Sequence, residues 1–121
     1  MELNEDQDKA MGTCLPSSEN FAYMLIGLTA EVGEINDKVA KWIRKGIARM
    51  DDNHLVFNTS DEQVRDAYLA ELKKEVGDCL WFIAGLANVM RCELDDLAWD
   101  NIGKLASRKQ RGVIDGNGDN R

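Results

Sequence analysis

Apolar residues recur every three or four positions through most of the chain, which is the spacing of one face of a helix. The longest such stripe consists of Phe21, Leu25, Leu28, Val32, Ile35, Val39 and Trp42. It ends at Lys45 and Gly46, a basic last turn followed by a glycine suited to a helix C-cap. The pattern predicts a helix of about 25 residues.

Two shorter segments on either side of it also predict helices. Asn4 and Gln7 are a candidate cap for a short first helix within residues 1–16, which should end before Pro16. Ser17 and Ser18 are then expected to begin the long second helix. The last helix is expected over residues 93–111, because its first turn is acidic, its last turn is basic and Gly112 follows.

Between the second and the last helix, Ser60 and Gln63 have the spacing of a capping box, which predicts the start of a third helix. Its apolar face consists of Leu69, Leu72, Val76, Cys79, Ile83, Leu86 and Met90. Residues 47–59 have mixed polarity and no period, so we expect a loop with a local turn at residues 51–53. A connection of this length suggests a functional role.

No stretch alternates strictly enough to predict a strand. The sequence therefore predicts an all-α fold, a bundle of about four helices with two long central ones. One domain is expected over residues 1–121, with residues 112–121 as a polar C-terminal tail.

Charge and composition narrow the classes of function. With 15 basic and 22 acidic side chains the net charge is -7, which disfavours binding to nucleic acid or to an anionic membrane. The longest apolar run, residues 80–87, is too short to cross a bilayer, and the first six residues do not resemble a signal peptide. A cytoplasmic setting is expected. The three cysteines have no metal-binding spacing and are interpreted as small core residues.

A short acidic motif occurs on both central helices. Leu28-x-x-Glu31-Val32-Gly33-Glu34 on the second matches Leu72-x-x-Glu75-Val76-Gly77-Asp78 on the third. Carboxylates three positions apart lie on adjacent turns of one helix face, so each motif is able to chelate. Acidic pairs of this kind are also common on solvated helix surfaces, and either motif alone fits that description better than it fits a ligand set.

The glycine inside each motif favours the chelating interpretation. Glycine within a helix costs about 1 kcal/mol relative to alanine, and close helix packing at Gly33 and Gly77 would explain it. Four carboxylates would then share one space, where their repulsion requires cations. Ligation by oxygen alone favours Mg²⁺ or Mn²⁺.

Further residues continue the same helix faces. The second helix continues with Lys38, Lys41 and Lys45, the third has Glu71 before its motif and Phe82 one turn after it, and the fourth carries Asn101, Lys104, Arg108 and Arg111. Acids, a flat ring and cations together suit a magnesium-bound nucleotide. Phe82 is equally well explained as a core residue, and the basic stripe as a solvated face.

Over residues 19–121 these features resemble the MazG-like nucleoside triphosphate pyrophosphohydrolases of the all-α NTP pyrophosphohydrolase superfamily. That family is marked by Glu-x-x-Glu followed on the next long helix by Glu-x-x-Asp, here Glu31, Glu34, Glu75 and Asp78. The resemblance implies Mg²⁺-dependent hydrolysis of a nucleoside triphosphate to monophosphate and pyrophosphate, and a role in clearing the nucleotide pool. It also implies a homodimer or homotetramer.

The resemblance assigns roles to individual residues. The four acids would be catalytic metal ligands. The substrate-binding set would be Lys38, Phe82, Asn101, Lys104, Arg108 and Arg121. The segment from Arg111 to Arg121 also resembles the tail of a subset of small members of the family.

Other classes of protein remain open at this point. A di-iron carboxylate bundle requires Glu-x-x-His motifs, and the single histidine, His54, lies in the expected loop. A non-catalytic helical interaction or regulatory module is the main alternative, because amphipathic helices alone do not establish an enzyme. Within the enzyme class, the related phosphoribosyl-ATP pyrophosphohydrolases and dimeric dUTPases share the acidic helices, so the resemblance defines the type of reaction better than the substrate.

Overall fold

The computed structural model describes all residues from Met1 to Arg121. Its elements are helix α1 (Leu3–Met11), a 3₁₀ turn (Pro16–Ser18), α2 (Phe21–Arg44), β1 (Ala48–Asp51), β2 (His54–Phe57), α3 (Glu62–Val89) and α4 (Leu94–Gln110). The fold class is confirmed as all-α, with four helices and one small hairpin. No helix combines the length and apolarity that crossing a membrane requires.

The long helices α2 and α3 pack side by side and run antiparallel. Met24 contacts Gly85 and Gly27 contacts Phe82 near one end of the pair, whereas Trp42 contacts Tyr68 near the other. The prediction that Gly33 and Gly77 permit this approach is wrong, because a Cβ at either position would meet open space. A Cβ on Gly27 would lie 2.0 Å from Phe82 Cε1, and one on Gly85 would lie 2.2 Å from Met24 Sδ. Gly27 and Gly85 therefore allow the close packing.

The connection between α2 and α3 is a β-hairpin, so the prediction of a strandless loop is wrong. Ala48 pairs with Phe57 and Asp51 pairs with His54 in antiparallel register. The turn predicted at residues 51–53 is present, with positive φ angles of 48° at Asp52 and 64° at Asn53. Positive φ angles at two successive residues are typical of the tight turn of a β-hairpin, because the twist of that turn matches the twist of the two strands. Each strand has only four residues, too few for alternation to be recognised in the sequence.

Helix starts differ from the predictions by one to three residues. Asn20, rather than a serine of the 17–18 pair, caps α2 by accepting a hydrogen bond from the Tyr23 amide. Asp61, rather than Ser60, caps α3. At the other end of α2 the prediction is confirmed, because Gly46 follows the helix with a φ of +72°.

The prediction that Asn4 and Gln7 cap their own helix is wrong. Both side chains instead bind the start of α4. Gln7 Nε2 donates to the Cys92 carbonyl at 3.0 Å, and Gln7 Oε1 accepts from the Leu94 amide at 2.7 Å. Asn4 Oδ1 accepts from the Asp95 amide at 3.0 Å. These bonds satisfy amides that a helix start leaves without partners, so α1 fixes α4 against the end of α3.

The interior of the chain is small. Two clusters form much of it: Trp42, Ala48 and Phe57 join the hairpin to α2, and Ala84, Ala87 and Leu94 join α3 to α4. Met24, Cys79 and Phe82 are buried as well. Of the cysteines, Cys79 is buried while Cys14 and Cys92 are half-buried, and all three are free thiols.

The accessible surface is correspondingly large. It amounts to 8717 Å² for a mass of 13.6 kDa. A folded monomer of this mass normally exposes roughly 6,600 Å². Large apolar side chains on α2, α3 and α4 contribute to the excess, among them Leu25, Val32, Val76, Trp99 and Ile102.

Candidate metal and nucleotide site

Three of the four predicted acids meet between α2 and α3. One carboxylate oxygen from each of Glu31, Glu34 and Glu75 lies within 4.8 Å of the other two. Glu31 and Glu34 stand one turn apart on α2, and the antiparallel packing places Glu75 of α3 opposite them. We refer to these three residues as the acid cluster.

Glu31 is a half-buried member of the acid cluster. Its Oε2 atom is buried and has no hydrogen-bond partner. Burial raises the pKa of this carboxyl, and the neighbouring charges of Glu34, Asp78 and Glu75 raise the pKa further. A buried, unpaired carboxylate is costly unless a cation or a proton compensates it. The residues therefore fit a bound cation.

Asp78, the fourth predicted acid, lies at the edge of this arrangement. It is exposed, and it is not among the three residues whose oxygens converge. It is close enough to contribute to the raised pKa of Glu31, and it lines a pocket together with Glu31. Asp78 is thus placed to approach a ligand of the acid cluster from the side.

Lys38 places a positive charge against the acid cluster. Its Nζ atom lies 3.4 Å from Glu75 Oε1 and 3.6 Å from Glu71 Oε2. Beside it is a polar pocket of about 260 Å³, which we call the lysine pocket; it is lined by Glu34, Asp37, Lys38, Lys41 and Glu75. Two lysines and three carboxylates thus line a single pocket.

A second pocket lies next to Glu31 and contains aromatic rings. This ring pocket, of about 310 Å³, is lined by Tyr23, Glu31, Asp78, Trp81 and Phe82. The ring of Phe82 is buried, with its centroid 5.6 Å from that of Tyr23 and 5.0 Å from that of Trp81. Phe82 is therefore a core residue that also lines the pocket, and its contact with a substrate stays a prediction.

Comparison with known proteins identifies the family. Residues 19–113 match the model of the MazG nucleotide pyrophosphohydrolase domain. The chain belongs to the MazG family. The matched segment contains α2, the hairpin, α3 and α4, and therefore every residue of the acid cluster and both pockets. The family resemblance drawn from the paired acidic motifs is thus confirmed.

One relative of this MazG-family chain is the Gene 37 protein of Mycobacterium phage L5. The two are 39% identical over 110 residues, which cover 91% of this chain and 83% of the phage protein. The name of the phage protein states no activity. No solved structure matches the chain.

Within the MazG fold, α4 carries two further predicted substrate ligands, and neither meets the acid cluster of its own chain. Asn101 and Lys104 are both exposed. Asn101 lines an apolar groove with Leu80 and Ile83, among other residues, and Lys104 lines none of the pockets.

Arg108 and Arg121, also predicted to bind substrate, instead hold the C-terminal tail. Arg108 is only 5% exposed, and its Nη2 donates to the Asp119 carbonyl at 3.1 Å. Arg121 donates to the carbonyls of Val113 and Gly118 at 3.0 and 2.5 Å. These bonds fold residues 112–121 back on themselves, so the tail is not a loose end.

Sequence reasoning missed two residues that line the ring pocket. Tyr23 lies two helical turns before Glu31, and Trp81 lies three residues after Asp78. The helical spacing alone could therefore have placed each of them on the same face as an acid. What the sequence does not contain is the bond that orients Trp81. Its Nε1 donates to Thr13 Oγ1 at 2.8 Å and to the Ala10 carbonyl at 3.2 Å, across a separation of about 70 residues.

Proposed function

We propose that this chain is an Mg²⁺-dependent nucleoside triphosphate pyrophosphohydrolase that produces a nucleoside monophosphate and pyrophosphate. The observation that carries the proposal is the buried, unpartnered Oε2 of Glu31 beside the carboxylates of Glu34 and Glu75. Such an arrangement favours the binding of a cation, and the family to which the chain belongs is that of a nucleotide pyrophosphohydrolase domain. The proposed role is the removal of unwanted nucleotides from the pool.

Glu31, Glu34 and Glu75 are the proposed metal ligands, with Asp78 as a further ligand at the side. All donors are carboxylate oxygens, which Mg²⁺ prefers and Mn²⁺ accepts. When bound, such an ion would neutralise part of the phosphate charge and lower the pKa of a water molecule.

The side chains of the chain perform the other parts of the reaction. A carboxylate of the acidic set accepts the proton of the attacking water. The water oxygen bonds to the α-phosphorus, and the bond from that phosphorus to the bridging oxygen breaks. The bridging oxygen leaves with pyrophosphate and keeps the electron pair. Phe82, with Tyr23 and Trp81, offers aromatic surface on which the nucleoside packs.

A homo-oligomer is part of the proposal. The accessible surface exceeds that of a typical monomer of this mass by roughly 2,000 Å², and exposed apolar side chains contribute to the excess. Association of copies would bury this surface. It would also account for Asn101 and Lys104, because these residues, if they contact phosphate or sugar, must do so at the acid cluster of another copy. We do not assign Arg108 and Arg121 to the substrate, since the tail uses both guanidinium groups.

The proposal is tested by assaying pyrophosphate release from a panel of standard and modified nucleoside triphosphates, with Mg²⁺ and with chelator. We expect release of pyrophosphate and monophosphate in equal amounts, only with the metal, and at different rates for different bases. Absence of turnover across the panel, together with no effect of Mg²⁺ on thermal stability, would favour a non-catalytic helical module.

A further inference from the structure

The two pockets lie on opposite sides of the acid cluster along the α2–α3 pair. On α2, Tyr23 and Glu31 line the ring pocket, whereas Glu34 and Lys41 line the lysine pocket. On α3, which runs the other way, Phe82 lies on the first side and Glu75 on the second. A phosphate held at the acid cluster therefore has one pocket on each side of it.

The charges of the two pockets differ. The ring pocket contains two carboxylates, Glu31 and Asp78, and no cationic side chain. The lysine pocket contains no apolar residue and combines two lysines with three carboxylates, those of Glu34, Asp37 and Glu75. Carboxylates repel the β- and γ-phosphates of a nucleotide in both pockets, but only the lysine pocket contains ammonium groups that attract them.

Lys38 is placed to bind such a group. Its side chain is only 26% exposed, so less freedom is lost when it binds a ligand. Its two contacts with carboxylates, at 3.4 and 3.6 Å, are longer than the roughly 2.7–2.9 Å of a strong charged hydrogen bond. The ammonium group therefore retains donors for a phosphate oxygen.

Lys41 is held by a neighbour that competes with such a ligand. Its Nζ lies 2.7 Å from Asp37 Oδ2, one helical turn away. The hydrogen bond from this lysine lowers the pKa of Asp37, which keeps the aspartate charged. Asp37 would thus compete with an incoming phosphate for the same ammonium group.

We infer that the lysine pocket holds the β- and γ-phosphates of the substrate, and then the leaving pyrophosphate, with Lys38 and Lys41 as its ligands. The nucleoside then lies toward the ring pocket. This inference rests on the proposed function. As the bond to the bridging oxygen breaks, negative charge moves onto the leaving group, where the two lysines stabilise it.

The test is calorimetric titration of inorganic pyrophosphate into the full chain saturated with Mg²⁺. Lys41→Gln should weaken pyrophosphate binding roughly tenfold, because one charged hydrogen bond is lost. Asp37→Asn should strengthen it about two- to threefold, since an exposed ion pair no longer competes. Lys74→Gln, which removes an equal charge from an exposed position outside the lysine pocket, should leave binding unchanged.

A second ligand makes the assignment specific. Nucleoside monophosphate, titrated in the same way, should bind wild type and Lys41→Gln equally well. Equal pyrophosphate affinity in wild type and Lys41→Gln, or parallel loss of both ligands, would overturn the inference while leaving hydrolysis by the wild type intact. If the wild type neither binds nor releases pyrophosphate with Mg²⁺, the proposed function fails as well.

Discussion

The ring of Phe82 lies where a side chain on Gly27 would begin. A Cβ on Gly27 would be 2.0 Å from Cε1 of this ring, far inside contact distance. The contact lets α2 and α3 approach closely next to Glu31, four residues further along α2. The geometry of the acid cluster thus depends on a glycine outside the acidic motifs.

Gly27→Ala is expected to destabilise the chain by about 1–3 kcal/mol, because the buried ring must move to make room. Urea unfolding followed by circular dichroism measures this change in the free energy of unfolding. Gly33→Ala and Gly77→Ala are the matched controls and should be neutral or stabilising by up to about 1 kcal/mol, since both Cβ atoms would enter open space. Destabilisation by either control would indicate that another copy packs against that position.

Glu31→Gln should raise the melting temperature of the metal-free chain by a few degrees. The folded chain holds the Glu31 proton more tightly than the unfolded chain, because burial and neighbouring acids raise its pKa. Raising the pH through that pKa therefore lowers the stability of the wild type but not of the variant. With chelator present, the melting temperatures of wild type and variant should diverge as the pH rises above about 4, a pH at which the Glu31 carboxyl of the wild type is largely protonated. A constant difference in melting temperature across the pH range would contradict the inference that the charge of Glu31 has no partner.

Magnesium should raise the melting temperature of the wild type, since a ligand that binds only the folded state stabilises it. Glu75→Gln should abolish this shift and lower the rate of pyrophosphate release by at least about 100-fold. Asp66→Asn, which neutralises an exposed acid on the same helix outside the acid cluster, should retain both properties. Wild-type turnover in Glu75→Gln would disprove the role assigned to this residue.

Gln7→Leu should destabilise the chain by about 1–3 kcal/mol. The substitution leaves the Leu94 amide and the Cys92 carbonyl without their buried partner. Thermal and urea unfolding measure the loss, and Glu5→Gln on the exposed side of the same helix is the control. An equal effect of the two substitutions would show that Gln7 acts only through the helicity of α1.

Local signals in the sequence were sufficient for the helices and the acidic motifs. The period of the α2 stripe and the glycine at position 46 set the extent of that helix, because both act within one or two turns. The spacing from Glu31 to Glu34 placed two acids on one face for the same reason.

Features that depend on distant partners could not be predicted in this way. Asn4 and Gln7 have the spacing of a cap but bind a helix about 90 residues away. Gly27 and Gly85 reveal their function only once Phe82 and Met24 are opposite them. The arginines at positions 108 and 121 are indistinguishable in sequence from phosphate ligands, yet their partners are carbonyls of the tail.

The hydrogen bonds from the Trp81 indole to α1 have a practical consequence for anyone shortening this protein. The family match begins at residue 19, so trimming to that boundary removes Ala10 and Thr13, the two acceptors that orient the indole. The trimmed chain would retain all four acids, but it would lose the bonds by which α1 holds α4 and would have a loosened wall at the ring pocket. Under the proposed function, selectivity among bases would then degrade before the proposed binding of Mg²⁺.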